Sequence, residues 1–270
     1  MRQWTIDAFA DRPFRGNPAC VVEPFDAWPE AGWMQALAQE NNQAETAFLL
    51  RTIDPSRFGL RWFTPSTEVR LCGHATLASA HALTAELKLA APALTFDTLS
   101  GPLGVAQGDS GYRMDFPTDT ARRAPAPAGL TAALGVEPDE VWVGQWVLAV
   151  LKDEQTVRGL TPNTAAVLDI DGGAGWGPGH VGVAALADAG SAFDVVDRFF
   201  GPGSGIPEDP TTGGLHCLLG PFFAERLGLR RVRFHQAYPG RGGDLVAEPN
   251  GDRVFLSGKA VTVLDSIIRR

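Results

Sequence analysis

A single carboxylate, Glu45, stands in the run NNQAETAFLL (residues 41 to 50), whose other residues suit a buried strand. Alternation along an extended chain sends Glu45, Ala47 and Leu49 to one face and Ala44, Thr46, Phe48 and Leu50 to the other, so neither face is made for water. A carboxylate that loses water without gaining a charge partner keeps its proton to higher pH, which suits general acid/base work near neutrality. The plainer reading is a strand-end Glu that reaches solvent past a small neighbour. Two further stretches carry reactive side chains at the start of a helical pattern, CGHAT (72 to 76) and DPTTGGLHC (209 to 217). Neither contains Lys or Arg, so an anion bound there would be held by backbone N–H groups, at Gly73 to Thr76 and at Gly213 to Leu215. Such donors also stabilise the negative charge that develops when carbon next to an acyl group loses a proton.

Other chemistries are poorly served. The histidines His74, His81, His180, His216 and His235 form no H-x-x-x-H or H-E-x-x-H pair, and no metal site is expected. His81 and His216 lie in apolar helical stretches and read as satisfied core residues. Cys20, Cys72 and Cys217 make an odd count without C-x-x-C spacing, which argues against a disulfide framework and fits a reducing compartment. The glycine-rich GPGSGIPE (201 to 208) contains two prolines and lacks a surrounding βαβ unit, so it reads as an irregular loop and not as a dinucleotide site. No cofactor is implied.

The chain has 270 residues, 44% hydrophobic and 20% charged, with a formal net charge of -8. Those values describe a globular protein and disfavour nucleic acid and anionic membrane as partners, because both select basic surface. The start reads as a strand and not as a signal peptide. The longest apolar stretch, VWVGQWVLAVL (141 to 151), is too short to span a bilayer, and a cytoplasmic protein is expected.

The elements that must position these groups come in a repeated order. RWFTP (61 to 65), the helical stretch 72 to 87 and three strand-like runs in the first half answer RFFGP (198 to 202), the stretch 212 to 229 and three more runs in the second. The offset is 137 residues for the aromatic pairs and 140 for the helix-starting glycines, Gly73 and Gly213, as an internal duplication would leave. The expected fold is α+β: two similar domains, 1–118 and 119–270, each a curled, mainly antiparallel β-sheet or barrel around a central α-helix, with a cleft between them. The last strand is free to return to the first domain. Pro221 should kink or stop the second helix.

FRGNPACVV (14 to 22), NNQAETAFL (41 to 49), RWFTPSTEVRLCGHATLASAHAL (61 to 83) and EDPTTGGLHC (208 to 217), in this order, resemble the phenazine-biosynthesis PhzF-like family, of diaminopimelate epimerase-like fold. The resemblance implies a cofactor-independent isomerase or epimerase of a small carboxylate-bearing metabolite, commonly a homodimer. By it, Glu45 is the acid/base, and His74 and Asp209 hold substrate and assist proton transfer. Asn17 lies near the substrate, as do Thr212 and the helix-start residues Gly73, Ala75, Thr76, Gly213 and Gly214. Many relatives carry Ser at the position of Gly214, so a serine there should be tolerated. Cys72 matches one of the two thiols of related racemases, but Thr212 occupies the place of the other. A thiol-dependent racemase using Cys72 is therefore the first alternative, and a non-catalytic dimeric binding protein is the second.

Overall fold

The computed structural model describes residues 1–108, 111–171 and 175–269. It divides into two compact units, Met1–Phe116 with Phe255–Arg270, and Pro117–Val254.

The first unit contains β1 (Arg2–Ala8), β2 (Asn17–Val22), α1 (Ala31–Asn41), β3 (Glu45–Arg51), β4 (Arg57–Phe63), β5 (Glu68–Val69), α2 (Gly73–His81), β6 (Ala93–Thr98), β7 (Gly101–Gly108) and β8 (Gly111–Pro117). Pairing runs β1–β2 antiparallel, β2–β3 parallel, β3–β4 antiparallel, β4–β6 parallel, then β6–β7 and β7–β8 antiparallel. α2 packs on β1, β2 and β3, and every residue from His74 to Ala80 is buried. A helix covered all round must be apolar or small all round. The run ATLASA meets that demand, and its small side chains let the strands come close. The helical pattern read over 72 to 87 is α-helical only to His81 and continues as one π turn, Ala82–Glu86. On the other side of β3, α1 covers Phe48, with Phe25, Met34 and Phe63 in the same cluster.

The second unit contains β9 (Arg122–Arg123), α3 (Leu130–Leu134), β10 (Glu140–Val143), β11 (Val147–Val150), α4 (Glu154–Gly159), α5 (Thr164–Val167), β12 (Val181–Leu186), β13 (Val195–Gly201), β14 (Ile206–Asp209), α6 (Gly213–Leu227), β15 (Val232–Gln236) and β16 (Gly243–Asn250). The pairing order repeats: β10–β11 antiparallel, β11–β12 parallel, β12–β13 antiparallel, β13–β15 parallel, β15–β16 antiparallel. β11 and β13 are buried along their whole length, as strands covered on both faces are, which is why their sequences VLAV and VVDRFFG carry little alternation. The segment GPGSGIPE, read as an irregular loop, is the end of β13, a 3₁₀ turn at Pro202–Ser204 and the strand β14.

Next come β17 (Arg253–Gly258), which crosses from one unit to the other, and β18 (Ala260–Ile267), which lies antiparallel along β1. Of the kink or stop expected at Pro221, the stop does not occur: α6 runs on to Leu227. A proline there removes the N–H that would reach the carbonyl four residues back. In this chain that carbonyl, of Cys217, accepts instead from the backbone N–H of Asp119 at 3.0 Å. No helix among the described residues is long and apolar enough to cross a membrane.

Candidate active site

In the first unit three short segments converge. Gly16 enters β2 at φ 62°, and a Cβ there would stand 2.0 Å from the Ala8 carbonyl oxygen, so only glycine admits this approach. The turn delivers Asn17 to the start of β2. Ala19 is the register partner of Glu45, and Asn17, two residues earlier, shares its face of the strand. Glu45 is the first residue of β3, Cys72 precedes α2, and His74 is the second residue of that helix. Glu45, Cys72 and His74 are 8%, 7% and 5% exposed.

The imidazole is the hub. Its Nε2 lies 2.9 Å from Glu45 Oε2. Neither atom has an in-line hydrogen bond, so the carboxylate oxygen sits to the side of the ring N–H direction. Asn17 Nδ2 approaches Nδ1 to 3.2 Å, and Cys72 Sγ lies 3.5 Å from the same nitrogen. The neutral ring can accept the Asn17 amide N–H at Nδ1 with its proton on Nε2, facing Glu45, whereas the doubly protonated ring donates from both nitrogens. Burial works against a second proton on His74, but the negative charges of Cys72 and Glu45 outweigh it and hold the imidazole well above the ordinary histidine range. Burial, with Glu45 adding to it, pushes the Cys72 thiol up to about 11. The thiol contributes that charge only once it ionises, so near pH 7 the upward pull on His74 rests on the nearby Glu45 alone and is weaker than with the thiolate present. Glu45 therefore has a charge partner, which the apolar pattern around it in sequence did not disclose.

Thr76, expected as an anion donor, turns both its N–H and its hydroxyl back to the Cys72 carbonyl. Gly73, His74 and Ala75 form the first turn of α2, which no side chain caps.

The second unit assembles the other predicted residues. Thr212 precedes α6 but does not cap it; its hydroxyl donates to Asp209 Oδ2 at 2.6 Å. Gln236, fully buried on β15, accepts from the Thr212 N–H at 2.7 Å through Oε1. Its Nε2 donates to the Asp209 carbonyl at 2.7 Å and to Thr212 Oγ1 at 3.1 Å. These bonds fix the turn and leave the N–H groups of Gly213, Gly214 and Leu215 without a capping side chain. Trp146 closes over Gly214: a Cβ there would meet its ring at 3.3 Å, tighter than ordinary contact. The indole is itself held, stacked on Trp176 at 5.3 Å and edge-on to Phe199 at 5.1 Å. Its buried Nε1–H has no hydrogen-bond partner among the described residues. Serine at 214 would need this indole, held on two sides, to give by a few tenths of an ångström, and whether it does decides if the serine is tolerated. His216 lies one turn on, with Nδ1 2.8 Å from the Thr212 carbonyl and Nε2 3.2 Å from Asp197, a satisfied core residue.

Residues 6–266 match the family model described as phenazine biosynthesis-like protein. The chain belongs to the phenazine biosynthesis-like family. An uncharacterized isomerase of Pseudomonas aeruginosa is 42% identical over 263 residues, covering 97% of this chain and 96% of its own. The crystal structure of a PhzF-family protein from Enterococcus faecalis superposes with a TM-score of 0.90 at 38% identity, covering 98% of this chain and 97% of the other. A probable proline racemase from Agrobacterium radiobacter, 11% identical with a TM-score of 0.63 over 99% and 92% of the two chains, shares the fold alone. The two-domain, epimerase-like α+β architecture follows from these matches, and by relationship to its curated relatives the protein is an isomerase.

Spacing along the phenazine biosynthesis-like sequence gave no hint of a metal centre. Yet Glu45, Cys72 and His74 each offer a donor atom, all within 4.8 Å of one another. Residues 27 apart in the chain meet here because β3 runs past the start of α2, a relation that local motifs do not record. Gln236 and Trp146 escaped notice for the same reason.

Proposed function

We propose that this protein is a cofactor-independent isomerase or epimerase of a small carboxylate-bearing metabolite, in which Glu45 and His74 move the proton. The contact that carries the reading is Glu45 Oε2 at 2.9 Å from His74 Nε2, buried and out of line. A carboxylate whose oxygen is not committed to an in-line hydrogen bond is ready to accept a proton from carbon next to an acyl group. His74 then shares or returns the proton, and Asn17 fixes the ring from the far nitrogen. The uncapped turn at Gly73, beside Glu45 and His74, suits a carboxylate or enolate oxygen; within the second unit the turn at Gly213, held in shape by Asp209, Thr212 and Gln236, offers donors of the same kind.

A thiol mechanism through Cys72 is less well supported, because a thiol pushed up to about 11 supplies little thiolate near pH 7. The test is solvent deuterium uptake into a panel of carboxylate metabolites. Glu45→Gln should abolish the exchange with the fold retained, whereas Cys72→Ala should keep most of it. The reverse pattern would establish the thiol mechanism, and exchange by neither parent nor variant would favour a binding protein.

A further inference from the structure

We infer that Ser204, activated by His180, is a nucleophile that takes the acyl group of aryl esters, an activity that does not depend on the isomerase reading. The two residues meet in the second unit, where the 3₁₀ turn Pro202–Ser204 passes the residue that precedes β12. The Ser204 hydroxyl lies 2.7 Å from His180 Nε2, and Nδ1 of the same ring lies 3.3 Å from the Gly177 carbonyl. A carbonyl oxygen only accepts, so Nδ1 carries the proton. On the neutral ring Nε2 then keeps its lone pair and accepts from the serine. That order of nucleophile, base and orienting partner is what makes a hydroxyl reactive.

The turn is shaped for this approach. A Cβ on Gly203 would stand 2.2 Å from the Pro178 carbonyl oxygen and 2.6 Å from His180 Cε1, so glycine lets the backbone come this close to the ring. The Gly203 N–H donates to the Gly179 carbonyl at 3.1 Å and the Gly205 N–H to the Pro202 carbonyl at 3.0 Å, which pins the chain on both sides of Ser204. His180 is 4% exposed and packs against the rings of Trp146 and Phe199, whereas Ser204 is exposed. Trp176, 41% exposed with its ring 6.2 Å from the imidazole, offers a flat apolar surface beside the pair, which favours an aryl ester over an alkyl one.

In the reaction the Ser204 oxygen bonds to the ester carbonyl carbon while its proton passes to Nε2, and the Gly177 carbonyl steadies the imidazolium through Nδ1–H. The bond from that carbon to the aryl oxygen then breaks, and the phenol leaves with the proton from Nε2. Water next attacks the acyl carbon, giving a proton to Nε2, which returns it to the Ser204 oxygen as the carboxylic acid departs. The N–H groups of Gly203 and Gly205 are already spent, so the developing oxyanion is left to solvent and both steps are slow. The acylated serine is therefore the species to look for.

The experiment is exposure of the full chain to p-nitrophenyl acetate, read by nitrophenol release and by peptide mass spectrometry. One acetyl group should appear on Ser204, with a matching burst of nitrophenol. Ser204→Ala, a change on an exposed turn, should lose both. His180→Gln should slow labelling of Ser204 by roughly 100-fold, a general-base contribution of ordinary size. Should that variant fail to fold, Ser100 of the unaltered chain is the control, because its exposed hydroxyl donates to the Arg70 carbonyl and has no base. Ser204 should then outpace Ser100 by a similar factor. Acetyl groups on lysines alone, equal labelling of Ser100 and Ser204, or a folded His180→Gln labelled at the parent's rate would each overturn the proposal.

Discussion

His74 is buried where water cannot stabilise its charge, and its proton is held by two neighbours of unequal standing. Near pH 7 the Cys72 thiol is neutral, so Glu45 carries the attraction, and removing that carboxylate should reverse the balance in favour of burial. In an NMR titration the parent His74 should therefore lose its proton above the usual 6.5, and Glu45→Gln should bring that midpoint down below it. An unmoved midpoint would show that Glu45 is not the partner. The shift also has a stability sign. A histidine raised in the folded state contributes fully below its unfolded value near 6.5, and the contribution fades as pH rises through the folded value. Denaturant midpoints of the parent should accordingly fall between neutral and mildly alkaline pH by more than those of His74→Gln. That Glu45 would be buried was legible in ETAFLL. That an imidazole would face it was not, because the pair joins a strand to a helix start.

α6 carries two features that local rules misjudge. A proline in a helix interior costs about 3 kcal/mol when the carbonyl behind it is orphaned. The Asp119 N–H reaches the Cys217 carbonyl, so the cost is largely offset by a donor far away in sequence. Pro221→Ala should then change the unfolding free energy by no more than about 1 kcal/mol, as read by urea denaturation. A gain near the full proline penalty would mean that the Asp119 bond does little. Gly214 is the converse case. It looks like a free choice at a helix start, where Ser is favoured by propensity, but a Cβ there would stand 3.3 Å from the Trp146 ring, which must give by a few tenths of an ångström to admit it. Gly214→Ser should destabilise by about 1 to 3 kcal/mol, the usual range for overpacking, and Trp146→Phe in the same chain should recover part of the loss. Additive effects of the two changes in a double-mutant cycle would refute the steric account. The positions of both helices were legible from Gly-started apolar runs; the neighbours that permit Pro221 and crowd a side chain at 214 belong to tertiary packing.

Over the whole chain, the duplication legible in the 137- and 140-residue offsets reappears as the same succession of antiparallel and parallel pairings in each unit. What departs from the repeat is β18, which pairs with β1 from Arg2↔Ile267 to Ala8↔Ala260. The match extends past the strands, where the Ile268 N–H donates to the Met1 carbonyl at 2.8 Å, and Arg2 pairs with Asp265 at 2.6 Å. On the inner side, Thr262 meets His81 Nε2 at 3.1 Å and donates to Glu86, tying the end of α2 and the π turn to the sheet. A chain cut after Lys259 would lose all of these at once and leave β1 with an unpaired edge. Since β1 also carries the fully buried Trp4 and Ile6 and supports α2, the damage should spread through the first unit. Hydrogen exchange by mass spectrometry should show lost protection across Met1–Phe116, including the strands around Glu45 and His74, with protection kept in Pro117–Val254. Deuterium transfer to substrate should disappear with it. Full protection of the first unit in the truncated chain would mean that β1, β2 and α2 stand without their C-terminal strand, and that β18 only covers an edge.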